Sequence, residues 1–137
     1  MSNAEIRTLG GSTLTISQES LACLQSALGG SLHSPGSTVY EEARTVWNAT
    51  VDKHPGLVVR CVGVSDVMQA VRFAKQSDLL IAVRAGGHYI AGKAVADGAL
   101  LIDLSQMRSV TVDPAGRKAW VSRDATLADF DRETQAF

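Results

Sequence analysis

The stretch Leu79-Leu80-Ile81-Ala82-Val83-Arg84-Ala85-Gly86-Gly87-His88-Tyr89 brings together a short apolar run, a cation, two adjacent glycines and an imidazole. Leu79 to Val83 suits a buried strand, and the glycines that follow reach backbone conformations closed to other residues. Without Cβ atoms, successive backbone N–H groups can converge there on an anion, with Arg84 adding positive charge beside them. Arg84, Ala85, Gly86, Gly87, His88 and Tyr89 therefore form a candidate phosphate cradle. Taken alone, a Gly-Gly-His sequence more commonly marks a tight loop with a surface histidine. The flanking elements have to separate the two readings.

Upstream of the cradle, Pro55-Gly56 opens a unit in which Leu57 to Val62 reads as a strand. Ser65-Asp66 reads as the cap and acidic first turn of a helix running to about Gln76. Val67, Val71 and Ala74 recur at spacings of three and four, and Ala70 and Phe73 broaden that stripe. With Leu79 to Val83 as the next strand, the order is strand, helix, strand, the sequence form of a parallel crossover. Downstream, Ala99 to Leu104 reads as a buried strand. Ser109 to Asp113 and Lys118 to Ser122 form a hairpin about the turn at 114–117. Thr126 and Asp129 then resemble a capping box that opens a helix carrying Leu127, Phe130 and Thr134.

Nearer the N-terminus, residues 5–16 contain an extended segment. Ser17 caps a helix with Leu21, Leu24 and Leu28 on one face, ended by Gly29-Gly30. Ser31 to Ser37 is turn-rich, which places His33 in a loop, and Tyr40 to Trp47 has helical potential until Asn48. Trp47 is expected as a buried indole beside a turn asparagine. Together these elements predict an α+β fold.

Composition narrows the partners. The chain has 137 residues, 45% of them apolar and 20% charged, enough to bury the core of one domain. Its 13 basic and 14 acidic residues leave a formal charge of -1 with no basic block, so no nucleic-acid partner is expected. The apolar runs fall far short of the ~20 residues that span a bilayer, so no membrane partner is expected either. The N-terminus lacks a cationic segment followed by an apolar one, which makes the cytoplasm the expected location. Cys23 and Cys61 lack metal-ligand spacing, and no metal site is expected. No linker, repeat or low-complexity segment divides the chain.

Spacing carries the argument further. Ten residues separate Pro55 from Asp66, nine separate Val71 from Ile81, and Ile81 leads directly into Ala82-Val83-Arg84-Ala85-Gly86-Gly87-His88. This resembles the covalent-FAD attachment pattern of flavoprotein oxidases with a vanillyl-alcohol-oxidase-type, or PCMH-type, FAD-binding domain, in particular the berberine-bridge-enzyme-like branch. Tyr40, Val46-Trp47-Asn48, Ile102-Asp103-Leu104-Ser105 and Met107-Arg108-Ser109-Val110 look like the same branch, so the resemblance covers about residues 28–137.

The resemblance implies the N-terminal lobe of such a domain: a strand-helix-strand unit, then a hairpin and a helix, with the glycine loop wrapping the FAD diphosphate. It implies FAD binding by Arg84, Ala85, Gly86, Gly87, His88, Tyr89 and Gly92, with His88 as the covalent link. It also implies a flavin-dependent oxidoreductase that, when complete, oxidises an alcohol or sugar-like substrate with oxygen as acceptor. In the family the second lobe, the substrate domain and the catalytic base lie beyond the position of Phe137. The expectation is therefore a partial FAD-binding domain over 1–137, with no catalytic residue of its own and inactive alone. Its missing-lobe face is expected to support self-association or a complementing domain. Two alternatives stand beside this one: a noncovalent FAD-binding component of a dehydrogenase that needs a partner, and a nonenzymatic remnant serving as a structural or interaction protein. One difference from the family is Arg123-Asp124-Ala125 in place of Gly-Gly-Ala, where an inward-pointing Asp124 would oppose a diphosphate.

Overall fold

The computed structural model describes residues 2–137. Its centre is a four-stranded sheet of β3 (Ser31–His33), β4 (Leu57–Arg60), β5 (Ile81–Arg84) and β6 (Leu100–Asp103), in the spatial order β3-β4-β6-β5. β4, β6 and β5 run parallel, and β3 closes one edge antiparallel to β4. The remaining strands form two hairpins. β1 (Ala4–Arg7) pairs with β2 (Thr13–Ile16), and β7 (Val110–Asp113) pairs with β8 (Lys118–Val121). Four helices complete the described residues: α1 (Gln18–Ala27), α2 (Thr38–Arg44), α3 (Val64–Gln76) and α4 (Leu127–Thr134).

The apolar runs of β4 and β6 are continuous because both faces of the parallel sheet are covered. Successive side chains point to opposite faces, so the two strands divide into two cores. Leu57, Val59, Leu100 and Ile102 pack with Leu21 and Leu24 of α1 and with Ala70 and Ala74 of α3. Val58, Leu101 and Ala82 pack on the other side with Tyr40 and Ala43 of α2, and with Val95 and Ala99. Each fully buried Leu or Ile in these layers contributes about 1.5–3 kcal/mol. The Tyr40 hydroxyl donates to the Pro55 carbonyl at 2.7 Å, which fixes α2 at the start of β4.

Local signals read from the sequence are present. Ser17 caps α1 by accepting from the Ser20 N–H, and Thr126 and Asp129 form the reciprocal capping box of α4. Four expectations need correction. His33 lies in strand β3 and not in a loop, because Ser31, Leu32 and His33 pair with Arg60, Val59 and Val58. The cap of α3 is Gly63, without a side-chain bond, and Ser65 is an exposed residue inside the helix. Asp66, in the first turn of α3, instead turns inward. It accepts from Val62 N–H at 2.9 Å, Gly29 N–H at 2.8 Å and Gly30 N–H at 3.1 Å, tying the turn after α1 to the start of α3. Val71 faces solvent, and the buried stripe of α3 is carried by the smaller Ala70 and Ala74, which allow close approach to the sheet. Trp47 is 72% exposed, not buried, and its backbone holds a neighbouring loop.

Candidate functional site

β5 ends at Arg84, and residues 85–99 run on without helix or strand. The loop therefore leaves the sheet at the carboxyl end of a parallel strand, where ligands of such sheets are commonly bound. It is held from the side by the segment after α2. Trp47 N–H donates to the Gly87 carbonyl at 3.0 Å, and the Asn48 side-chain amide donates to the Ile90 carbonyl at 2.8 Å. Trp47 and Asn48 thus shape the loop through backbone and amide, which the expectation of a buried indole did not anticipate.

The loop encloses an open cleft of about 440 Å³, lined by Val83, Ala85, Gly86, Gly87, His88, Tyr89, Lys93 and Ala94. Gly87 has φ +70°, which a side chain would strain. Gly86 is crowded instead: a Cβ there would lie 2.6 Å from Nδ1 and 2.7 Å from Cε1 of His88. The His88 ring folds back over the bare backbone of Gly86 and stays exposed to the cleft. Five of the residues singled out from the sequence, Ala85, Gly86, Gly87, His88 and Tyr89, are therefore brought together in one place. Gly92, with φ +65°, sits against Val51 and turns the loop without lining the cleft.

Arg84 is placed differently. Its guanidinium lies under the loop, where Nη1 donates to the Asp103 carboxylate at 3.1 Å. Asp103 is fully buried and also accepts from Arg60 Nε at 2.9 Å, Ser105 Oγ at 2.9 Å and Ser105 N–H at 3.2 Å. The register aligns Arg60, Asp103 and Arg84 across β4, β6 and β5, so one carboxylate joins two cations at the sheet's carboxyl edge. Arg84 Nε is buried without a partner, close to Gly87. A lone carboxylate ending the apolar run Leu100-Leu101-Ile102 was the sequence signal for this network.

Two further features border the site. Asp124 N–H donates to the Met107 carbonyl at 3.1 Å, and Oδ1 of Asp124 lies 3.7 Å from where a Cβ on Gly86 would stand. The acidic side chain thus faces the glycine loop. On the far edge of the sheet, His33 Nε2 lies 2.7 Å from Ser31 Oγ. Partial burial, with Arg60 nearby, holds that imidazole below the usual histidine range. Among the described residues no group of three or more His, Cys, Asp or Glu side chains is placed to hold a metal ion.

Comparison with known proteins agrees with this architecture. The (R)-6-hydroxynicotine oxidase of Paenarthrobacter nicotinovorans is 31% identical over 111 residues, covering 81% of this chain and 24% of that protein. Berberine bridge enzyme-like 2 of Arabidopsis thaliana is 33% identical over 85 residues, covering 61% of this chain and 16% of that protein. The crystal structure of 6-hydroxy-D-nicotine oxidase from Arthrobacter nicotinovorans superposes with a TM-score of 0.73 at 30% identity, over 80% of this chain and 24% of that one. The chain thus spans about a quarter or less of the length of these relatives. Residues 55–137, which contain β4 to α4 and the whole cleft, match the family model described as FAD binding domain. With more than half of its length inside that match, the chain belongs to the FAD binding domain family.

Proposed function

We propose that the cleft over Gly86-Gly87-His88 is where this chain holds FAD, and that the chain serves as the FAD-binding portion of an oxidase acting on an alcohol or sugar-like substrate. The observation that carries this reading is the loop itself. Two glycines, one at positive φ and one packed under an imidazole, bare a stretch of backbone at the carboxyl end of β5, inside a match to the FAD binding domain. The residues fit the group: Ala85, Gly86 and Gly87 line the cleft and offer backbone to an anion, and neither glycine carries a Cβ to fill that space. Bound FAD would supply acceptance of a hydride from carbon, chemistry that no side chain of the cleft provides.

The chain's own residues have three tasks. Gly86 and Gly87 keep the floor free of Cβ atoms. Trp47 and Asn48 fix the loop's course. His88 is the residue we assign to the histidyl link: an imidazole nitrogen would supply the lone pair for the new carbon–nitrogen bond, while the carbon gives up a C–H bond as a proton, the ring loses its N–H proton, and the displaced electron pair passes to the flavin. Apolar side chains exposed on β8 and α4, namely Trp120, Val121 and Leu127, suit a complementing domain or self-association.

Acid precipitation of the purified protein tests the reading. Yellow, fluorescent protein that keeps its flavin after precipitation, and loses that retention in His88→Ala while still binding FAD reversibly, is the expected result. Acid-stable flavin in His88→Ala would remove the histidyl assignment. A chain that takes up no FAD under any condition would remove the functional reading as a whole.

A further inference from the structure

We infer that Lys93 is the cation that holds the anionic diphosphate of a dinucleotide in the cleft, a task the sequence suggests for Arg84. This rests on the FAD-binding reading above and adds a residue to it. The guanidinium of Arg84 is already paired: Nη1 is on the buried Asp103, and the side chain as a whole is only 17% exposed. Its Nε is buried beside Gly87 and Arg84 does not line the cleft, so its charge is largely spent inside the protein.

Among the residues lining the cleft, Lys93 is the one basic side chain of the lysine or arginine type. It is exposed, and it shares the lining of the cleft with Ala85, Gly86 and Gly87. Among the described residues the lysine engaged in an ion pair is Lys53, with Asp97; Lys93 is in none. An ammonium on a flexible four-carbon stem can swing to a phosphate oxygen without first breaking a bond, whereas Arg84 would have to leave Asp103. The charge is also needed. Asp124 turns its carboxylate toward Gly86 at the rim, and that negative charge opposes an anion unless a cation offsets it.

The test is FAD affinity by equilibrium dialysis, in the His88→Ala background so that binding stays reversible whatever the linkage. Lys93→Ala is expected to weaken FAD about fivefold to tenfold, as loss of one partly solvated charge contact does. It should also flatten the fall in affinity between about 0.02 M and about 0.3 M salt. Lys93→Arg should keep most of the affinity, and Lys118→Ala, which removes an exposed lysine on the β7–β8 hairpin, should change nothing. Because Lys93 is exposed, folding is not at stake in these variants. If FAD binds and Lys93→Ala leaves both affinity and salt dependence as they were, the inference is overturned while the FAD reading stands. If neither the parent chain nor its His88→Ala form binds FAD, both fall together.

Discussion

Replacing Asp103 should be among the most destabilising single changes in this chain, and the network explains by how much. Asp103 has 0% exposure, and the side chains of Arg60 and Arg84 are only 16% and 17% exposed. Asp103→Ala would leave two guanidinium groups facing each other across one strand with no carboxylate between them. It would also strip two hydrogen bonds from Ser105. The Glu42 carboxylate, 3.6 Å from Arg60, reaches only one of the two cations. Breaking a buried pair from one side costs about 3–5 kcal/mol, chiefly because a desolvated charge is left unmatched. With a urea dependence of about 1–2 kcal/mol per molar for a domain of this size, the unfolding midpoint should fall by roughly 1.5–5 M. Urea titration followed by far-UV circular dichroism reads this directly. Asp103→Leu with Arg60→Met and Arg84→Met removes the charges together and should recover most of the loss. A midpoint within about 0.5 M of the parent for Asp103→Ala would show that water reaches the arginines freely, and the argument from burial would be wrong.

Other consequences are open to measurement. Burial pushes the Cys61 thiol up to about 12, with Asp66 and Asp103 adding to the effect, whereas Cys23 is exposed. A thiol reagent at mildly alkaline pH should therefore label one cysteine in the folded chain and two after denaturation, and rapid labelling of both in the native state would contradict the structure. The Asp129 carboxyl is held well below the usual carboxylate range, first by the Thr126 N–H, then by Arg108 and the Thr126 hydroxyl. A depressed carboxyl stabilises the fold above its unfolded value near ~3.9, and that contribution is lost as pH falls further toward the folded value. The melting temperatures of the parent and Asp129→Asn should thus differ at neutral pH and converge in acid; a gap that stays constant down to about pH 2 would refute the linkage. Gly87→Val forces a β-branched residue to positive φ at a cost of at least about 1–2 kcal/mol and should lower FAD occupancy more than it lowers far-UV ellipticity. Full FAD occupancy in Gly87→Val would mean that the loop does not touch the cofactor.

The sequence alone determined those features whose causes lie within a few residues. The caps of α1 and α4, the buried strands β4 and β6, the hairpin of β7 and β8, and the glycine loop after β5 all follow from local sterics, periodicity and side-chain-to-backbone bonds. The spacing from Pro55 to His88 also sufficed to point to the family, because it orders a strand, a helix and a loop that are consecutive in the chain. Tertiary structure alone decided which distant groups meet. β6 inserts between β4 and β5, and only that order sets Asp103 between Arg60 and Arg84. Asp66 reads as an ordinary first-turn acid until Gly29 and Gly30 arrive from more than thirty residues away to donate to it. His33 looks like loop because its strand character comes wholly from pairing with β4. In one dimension Arg84, next to the two glycines, stands out as the cation, and Lys93, further along the loop, does not. The fold ties the first to a buried carboxylate and leaves the second at the cleft, because Coulomb pairing depends on distance in space and not on separation along the chain.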